Sequence, residues 1–177
     1  LALALLTHPL LDVLTVYGTQ LLQPFTDHPY AVGSMFIIDP LYTLPLLIGL
    51  GVALARRQHA GLRWNAVGLG VSSLYLAWSV FAHAHVEQIV RAQPAQQVQS
   101  GAALFVTPTP FNTVAWRIVV MRDDGHAEGF YSFFGADRRI EFDAFASQRA
   151  LAPQLGNNPA LQRMVWFTHG FYSLRED

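Results

Sequence analysis

The 177-residue chain has no cysteine and no lysine, and its first 55 positions carry only three charged side chains, all of them aspartate. The lack of cysteine excludes disulfide bonds and thiolate metal sites. The net charge is −1, all 11 basic residues are arginine, and neither half carries a one-sided basic patch. These features give no electrostatic reason to expect nucleic acid as a partner, and they exclude that class of protein.

Long apolar runs take the place of charge in the N-terminal half. Residues 34–55 form a 22-residue run with Asp39 as its only charge, and residues 64–86 form a 23-residue run with none. Residues 1–22 hold one charge. Because each run is long enough to cross a bilayer, the sequence predicts an α-helical polytopic membrane region with three spans. The chain begins at Leu1 in the middle of a run and without a basic leader, which indicates that upstream helices are missing from a truncated protein.

The second half of the chain has a different character. Alternation of apolar and polar residues in 113–121, an Asp-Asp-Gly turn and an aromatic-rich run in 127–134 predict a β-hairpin. Helices are predicted in 147–155 and 159–164, and a closing strand in 165–174. Three parts are therefore expected: a membrane region in 1–92 that is truncated at its N-terminus, a linker in 93–101, and a small α+β extramembrane domain in 102–177. We expect this domain to be accessory, with no catalytic residue of its own.

The arginines predict the orientation of the chain. The short loop of residues 56–63 carries three arginines and no acidic residue, so the positive-inside rule places it in the cytoplasm. The extramembrane domain then lies on the periplasmic or outer side. The sequence thus predicts a multi-pass membrane protein whose C-terminal domain lies outside the cytoplasm.

His8 and Asp12 stand four residues apart in the first apolar run. On a helix this spacing puts both side chains on one face, with Thr15 and Thr19 continuing the stripe. Hydrocarbon tolerates such groups only where they face a protein interior or a wet cavity, and an imidazole and a carboxylate at one height can share a metal ion. The alternative is a structural hydrogen bond between helices.

Asp39 is the third polar group of this kind. Asp12 and Asp39 are expected roughly 8–9 Å below the same membrane surface, so they could meet. Because Asp39 precedes Pro40, it could instead be a helix N-cap. His85 and Glu87 are weaker candidates, since a wet helix end explains them equally well.

Five blocks of the sequence carry a family resemblance. The blocks are Thr-His-Pro-Leu-Leu-Asp-Val-Leu-Thr-Val-Tyr-Gly-Thr (7–19), Phe-Ile-Ile-Asp-Pro-Leu-Tyr-Thr-Leu-Pro (36–45), Ala-His-Val-Glu (84–87), Thr-Pro-Thr-Pro-Phe-Asn-Thr-Val-Ala-Trp-Arg (107–117) and Trp-Phe-Thr-His-Gly-Phe-Tyr (166–172). They look like successive blocks of the bacterial membrane-bound metal-dependent hydrolase family, which includes inner-membrane proteins under LexA control. The resemblance implies a metal site in which His8, Asp12 and Asp39 match the family's intramembrane polar positions. It also implies a location in the bacterial inner membrane and further upstream motifs, which this chain lacks.

The expected mechanism is metal-assisted hydrolysis. A divalent ion, zinc or manganese, would lower the pKa of a bound water towards ~7. His8 and Asp12 would be ligands, Asp39 a ligand or general base, and Thr15 or Thr19 hydrogen-bond partners of these groups. The expected partner is the lipid bilayer and the expected substrate is lipid-like, such as a phospholipid or an isoprenoid phosphate, while the oligomeric state stays open. Two alternatives are a non-enzymatic membrane scaffold and an ion-coupled transporter fragment.

Overall fold

The computed structural model describes residues 2–56, 59–94, 97–99, 101–135, 139–148, 151–152 and 158–175. Within these residues the chain forms four α-helices and one four-stranded antiparallel sheet. In chain order the elements are α1 (Ala2–Asp12), α2 (Pro40–Ala55), α3 (His59–Arg91), β1 (Leu104–Pro108), β2 (Ala115–Arg122), β3 (Gly125–Ser132), β4 (Phe142–Ala146) and α4 (Pro159–Phe167).

The prediction of three membrane spans is wrong. In the part of the chain that the structure describes, one helical stretch, residues 61–91, is long and apolar enough to cross a membrane. Helix α1 has 11 residues and α2 has 16. At 1.5 Å per residue α2 is ~24 Å long, which is shorter than the ~30 Å hydrocarbon core of a bilayer.

Local hydrogen bonds explain why two of the apolar runs are not helical throughout. Asp39 caps α2, because its Oδ1 accepts the Leu41 N–H at 2.9 Å, and Pro40 fills the first helical position. The residues before Asp39 therefore lie outside the helix. In the first run α1 ends at Asp12, and the Thr15 hydroxyl donates to the Asp12 carbonyl at 2.7 Å. The hydropathy pattern includes these residues in the predicted helices, but capping groups determine where a helix begins and ends.

Helices α2 and α3 pack with their backbones in close contact. A Cβ atom on Gly49 would lie 2.9 Å from the Trp64 carbonyl oxygen, and one on Gly68 would overlap with the Pro45 carbonyl oxygen. Only glycine fits at such positions. Small residues that let two helices approach closely are typical of helix pairs in membranes.

The sheet packs on the C-terminal half of α3. Its strands follow the order β1-β2-β3-β4, all antiparallel. Side chains alternate between the two faces of a strand, and in β2 Trp116, Ile118 and Val120 face α3. They form a buried core with side chains of α3 and of the other strands, and the α3 members are Ala82, Val86 and Val90.

Parts of the strand and helix predictions are confirmed. Strands β2 and β3 form the predicted hairpin, with Arg122 paired to Gly125 at the turn. Helix α4 confirms the helix predicted in 159–164, but the closing strand in 165–174 is wrong, since α4 continues to Phe167 and no strand follows it among the described residues. Most of the helix predicted in 147–155 lies outside the described residues.

Candidate functional site

His8 and Asp12 are brought together as their spacing predicts. His8 Nε2 lies 3.4 Å from Asp12 Oδ2. The two side chains are 77% and 48% exposed, so they lie on an open face of α1. Among the residues that the structure describes, no group of three His, Cys, Asp or Glu side chains is placed to hold a metal ion.

Asp39 is fully engaged with other protein groups. The residue is only 2% exposed, and while Oδ1 caps α2, Oδ2 accepts the Tyr75 hydroxyl at 2.7 Å. The N-cap alternative therefore describes its observed contacts. A catalytic zinc ion needs three protein ligands and an open position, and His8, Asp12 and Asp39 as they stand do not fit that requirement.

Thr15, Thr19 and His85 make ordinary structural contacts. Thr15 bonds the Asp12 carbonyl, and the backbone of Thr19 forms an isolated bridge with Tyr30. The ring of His85 stacks with the rings of Phe81 and Phe133, with centroids 5.9 Å apart in each case.

A chain of buried hydrogen bonds extends from Asp39 to the sheet. The Thr113 hydroxyl, just before β2, donates to the Tyr75 hydroxyl at 3.2 Å and accepts from Trp78 Nε1 at 3.1 Å. One turn earlier on α3, the Ser72 hydroxyl donates to the Tyr42 carbonyl at 2.7 Å. The polar side chains of Ser72, Tyr75 and Trp78 thus connect α3 to α2 and to the sheet.

A second cluster of polar side chains surrounds a cavity of about 710 Å³. The cavity is lined by the sheet face that is turned away from α3 and by the edge strand β1. The loop of residues 28–33, His83 and Glu87 of α3, and the segment of residues 167–173 complete its walls. Its ionisable lining includes side chains from all of these parts: His28, His83, Glu87, Arg117, His126 and His169.

Strand alternation explains the sheet's part in this cavity. Arg117, Val119 and Met121 of β2 point away from the α3 core, and His126 of β3 is paired with Met121. On the same face Arg117 Nη2 donates to Glu128 Oε2 at 2.9 Å. The hydrogen bond from Arg117 lowers the pKa of Glu128, and the same bond raises the pKa of Arg117.

His83 and Glu87 stand one turn apart on α3 and both line the cavity. His83 Nε2 lies 3.2 Å from the Val106 carbonyl oxygen. Since a carbonyl oxygen only accepts, Nε2 is the donor in this hydrogen bond. Burial lowers the pKa of His83, which favours the neutral ring with its lone pair on Nδ1. Glu87 forms an ion pair with Arg91 at 2.6 Å.

His28 and His169 meet although they are far apart in the sequence. Their ring centroids are 5.9 Å apart, and the His28 ring also contacts Tyr30 at 4.9 Å. His169 follows α4 in the left-handed backbone region, with φ at +51°. Left-handed conformation is uncommon outside glycine, and such residues often lie at functional sites. His28 lies outside the five blocks of the family resemblance, His169 lies inside the last one, and no spacing links the two positions, so the sequence did not predict their contact.

Comparison with known proteins gives one family. Residues 1–86 match the sequence model of the YdjM inner membrane protein family. No curated protein and no solved structure shows significant similarity to the chain. The match covers α1, α2 and most of α3, it ends before the sheet, and it carries no information on hydrolysis or on metal. The N-terminal half of the chain is therefore similar to the YdjM inner membrane proteins.

Proposed function

We propose that this protein is anchored in the bacterial inner membrane and uses the cavity outside the bilayer to bind and hydrolyse an amphipathic substrate. The similarity to YdjM inner membrane proteins supports the membrane location. The exposed side chains of α3 support it independently, since from Trp64 to Phe81 its large outward-facing residues are apolar. These 18 residues make ~27 Å of helix, close to the ~30 Å thickness of the hydrocarbon core.

The proposed orientation follows from the two ends of this stretch. Arg56 and Arg63 lie near its beginning, and the positive-inside rule assigns that end to the cytoplasm. Beyond Phe81 the exposed residues of α3 are small, polar or charged, namely Ala84, Gln88 and Arg91. The sheet and the cavity then lie on the periplasmic side, next to the membrane surface.

The observation that carries the proposal is the convergence of four histidines on one cavity. They come from four separate segments, and the cavity has the volume expected of a small-molecule site. Its walls also contain apolar side chains, among them Val119, Met121 and Phe171. A site with apolar walls and imidazole groups beside a membrane suits a substrate with an acyl or isoprenoid chain and a polar head, such as a phospholipid or an isoprenoid phosphate.

Imidazole groups supply the chemistry that the proposal needs. A histidine can take a proton from water and return one to the leaving group near neutral pH, which typically contributes ~10²–10⁴-fold to the rate. This assigns the reaction to residues of the sheet and of the α4 end, in contrast to the accessory role expected from the sequence. No step of the proposal uses a metal ion. Zinc or manganese dependence stays a separate prediction attached to His8, Asp12 and Asp39.

A scaffold without turnover is the second candidate. The buried network of Asp39, Tyr75, Thr113 and Trp78 favours it, because this network uses intramembrane polar groups to join the helices and the sheet. A binding cavity is compatible with either function, so turnover itself must be measured.

The test uses the detergent-purified chain and two phosphodiesters, dodecyl p-nitrophenyl phosphate and methyl p-nitrophenyl phosphate. We expect release of p-nitrophenolate from the dodecyl compound in preference to the methyl compound. His126→Ala and His169→Ala should each lower kcat by ~100-fold or more. The matched control is His59→Ala, which removes an exposed histidine at the start of α3.

Turnover and elemental analysis of these variants and of His8→Ala separate the alternatives. Equal turnover in His126→Ala, His169→Ala and wild-type protein would contradict the cavity as the active site. Bound metal that is lost in His8→Ala together with turnover would favour the intramembrane metal site. Saturable binding of dodecyl phosphate without any turnover would favour the scaffold.

A further inference from the structure

Exposed apolar residues surround the place where α2 and α3 meet the sheet. We name Phe36, Ile37, Ile38 and Phe111 the proximal rim. Ile37, Ile38 and Phe111 are exposed, and the rings of Phe36 and Phe111 contact each other edge to face at 5.4 Å between centroids. The rim thus joins the segment before α2 to the loop of residues 109–114 before β2.

Two hydrogen bonds set the level of this rim along α3. Thr113 of the loop accepts from Trp78 Nε1, and Asp39, next to Ile38, accepts from the Tyr75 hydroxyl. Tyr75 and Trp78 belong to the last turns of the apolar stretch that ends at Phe81. A bilayer that covers this stretch therefore reaches the rim.

The loop that carries Phe111 is held in one conformation. Asn112 Oδ1 accepts the N–H groups of Val114 at 2.9 Å and Ala115 at 2.8 Å, and its Nδ2 donates to Thr109 Oγ1 at 2.9 Å. Phe111 has φ at +68°, a left-handed conformation that is rare for a bulky residue. The loop keeps this unfavourable backbone while the phenyl ring is 57% exposed, which points to a function for the exposed ring.

The other end of the sheet is polar. The turn between β2 and β3 consists of Asp123 and Asp124, which are both exposed, and it follows Arg122. The sheet has aromatic residues at the end nearest the apolar part of α3 and carboxylates at the opposite end. This polarity is the one expected of a domain that rests on lipid.

We propose that the proximal rim inserts into the headgroup region of the bilayer and is a second lipid contact besides α3. The inference rests on the membrane anchoring in the proposed function, and it goes further by assigning a lipid-binding role to a loop of the sheet. With two contacts, the sheet keeps a defined tilt relative to the membrane.

Spin labelling in lipid vesicles tests the proposal directly, because the chain has no native cysteine. Three single-cysteine variants of the whole chain are compared: Phe111→Cys at the rim, Leu74→Cys on the exposed face of α3 and Asp124→Cys at the far turn. The collision rates of each label with molecular oxygen and with a water-soluble nickel chelate report its depth. We expect lipid-like values at 74, water-like values at 124 and values between them, shifted towards the lipid side, at 111.

Each outcome decides the matter. A water-like label at 111 with a lipid-like label at 74 overturns the rim and leaves the membrane anchor intact. Water-like labels at both positions overturn the anchor, and the rim with it. A label at 111 that neither reagent reaches means that protein covers the rim, which also overturns the proposal. A label at Ile38→Cys should lie at the same depth as the label at Phe111→Cys. The test therefore does not depend on the correct folding of a single variant.

Discussion

Both halves of α3 carry apolar side chains, but those of the first half are exposed and those of the second half are buried beneath the sheet. From Trp64 to Phe81 most of the large apolar residues point outward, and Leu74 is 73% exposed. In the second half Ala82, Val86 and Val90 are completely buried beneath the sheet. The difference teaches that one apolar run can contain both an exposed surface, which we propose to face lipid, and a protein core. The boundary lies where another element begins to cover the helix.

The largest expected effect comes from a charge in the covered half. Val86→Asp would place a carboxylate without a partner among the core residues of the sheet, and we expect a loss of ~4 kcal/mol or more in the free energy of unfolding. Gln88→Asp, on the exposed side of the same turn, should change it by less than ~0.5 kcal/mol. Thermal unfolding in detergent, followed by near-UV circular dichroism, measures both. Equal stabilities of the two variants would contradict the core assigned to this half.

The junction between the two halves gives a smaller effect. Tyr75→Phe removes the hydroxyl that donates to Asp39 and accepts from Thr113, so two buried groups lose a partner. We expect a loss of ~1–3 kcal/mol. Tyr17→Phe, at an exposed position, is the matched control. If the two tyrosine variants unfold at the same temperature, the hydrogen-bond network does not join the helices to the sheet.

The smallest effect concerns the sheet face away from α3 and depends on pH. Arg117 lowers the pKa of Glu128 below its ordinary value of 4.5, so the ion pair stabilises the folded protein above that pH. The contribution is lost as the pH falls through the lowered pKa. Because Arg117 is half exposed, solvent screening limits the contribution to less than ~1 kcal/mol. The stability difference between wild-type protein and Glu128→Gln should therefore be present at pH 7 and vanish in acid. A difference that stays constant down to acid pH would contradict the ion pair.

Local patterns predicted the features that depend on neighbours in the sequence. The His8–Asp12 contact follows from helical spacing, and the β2–β3 hairpin follows from alternation and an Asp-Asp-Gly turn. The Asp39–Pro40 pair indicates an N-cap, which explains why α2 begins at Pro40. The prediction of a longer helix followed hydropathy alone, and an average over apolar residues does not detect a capping carboxylate.

The cavity could not be predicted in the same way. His28 and His169 contact each other only because the loop of residues 28–33 and the end of α4 fold over the same face of the sheet. No periodicity links positions so far apart. The spacing of Ser72, Tyr75, Ser79 and His83 places them on one face of α3. Partners of three of them lie in α2, in the loop before β2 and in β1, and only the fold specifies these partners.

Labelling along α3 in native membranes tests the central claim most directly. Single cysteines replace residues on its exposed side at 74, 77, 81, 84 and 88, and a water-soluble maleimide is applied to membranes with the periplasmic face open. We predict that 84 and 88 react, while 74, 77 and 81 react only after the membrane is dissolved in detergent. Reaction at 74 as fast as at 88 in intact membranes would contradict the claim that the first half of α3 lies in lipid and the second half under the sheet.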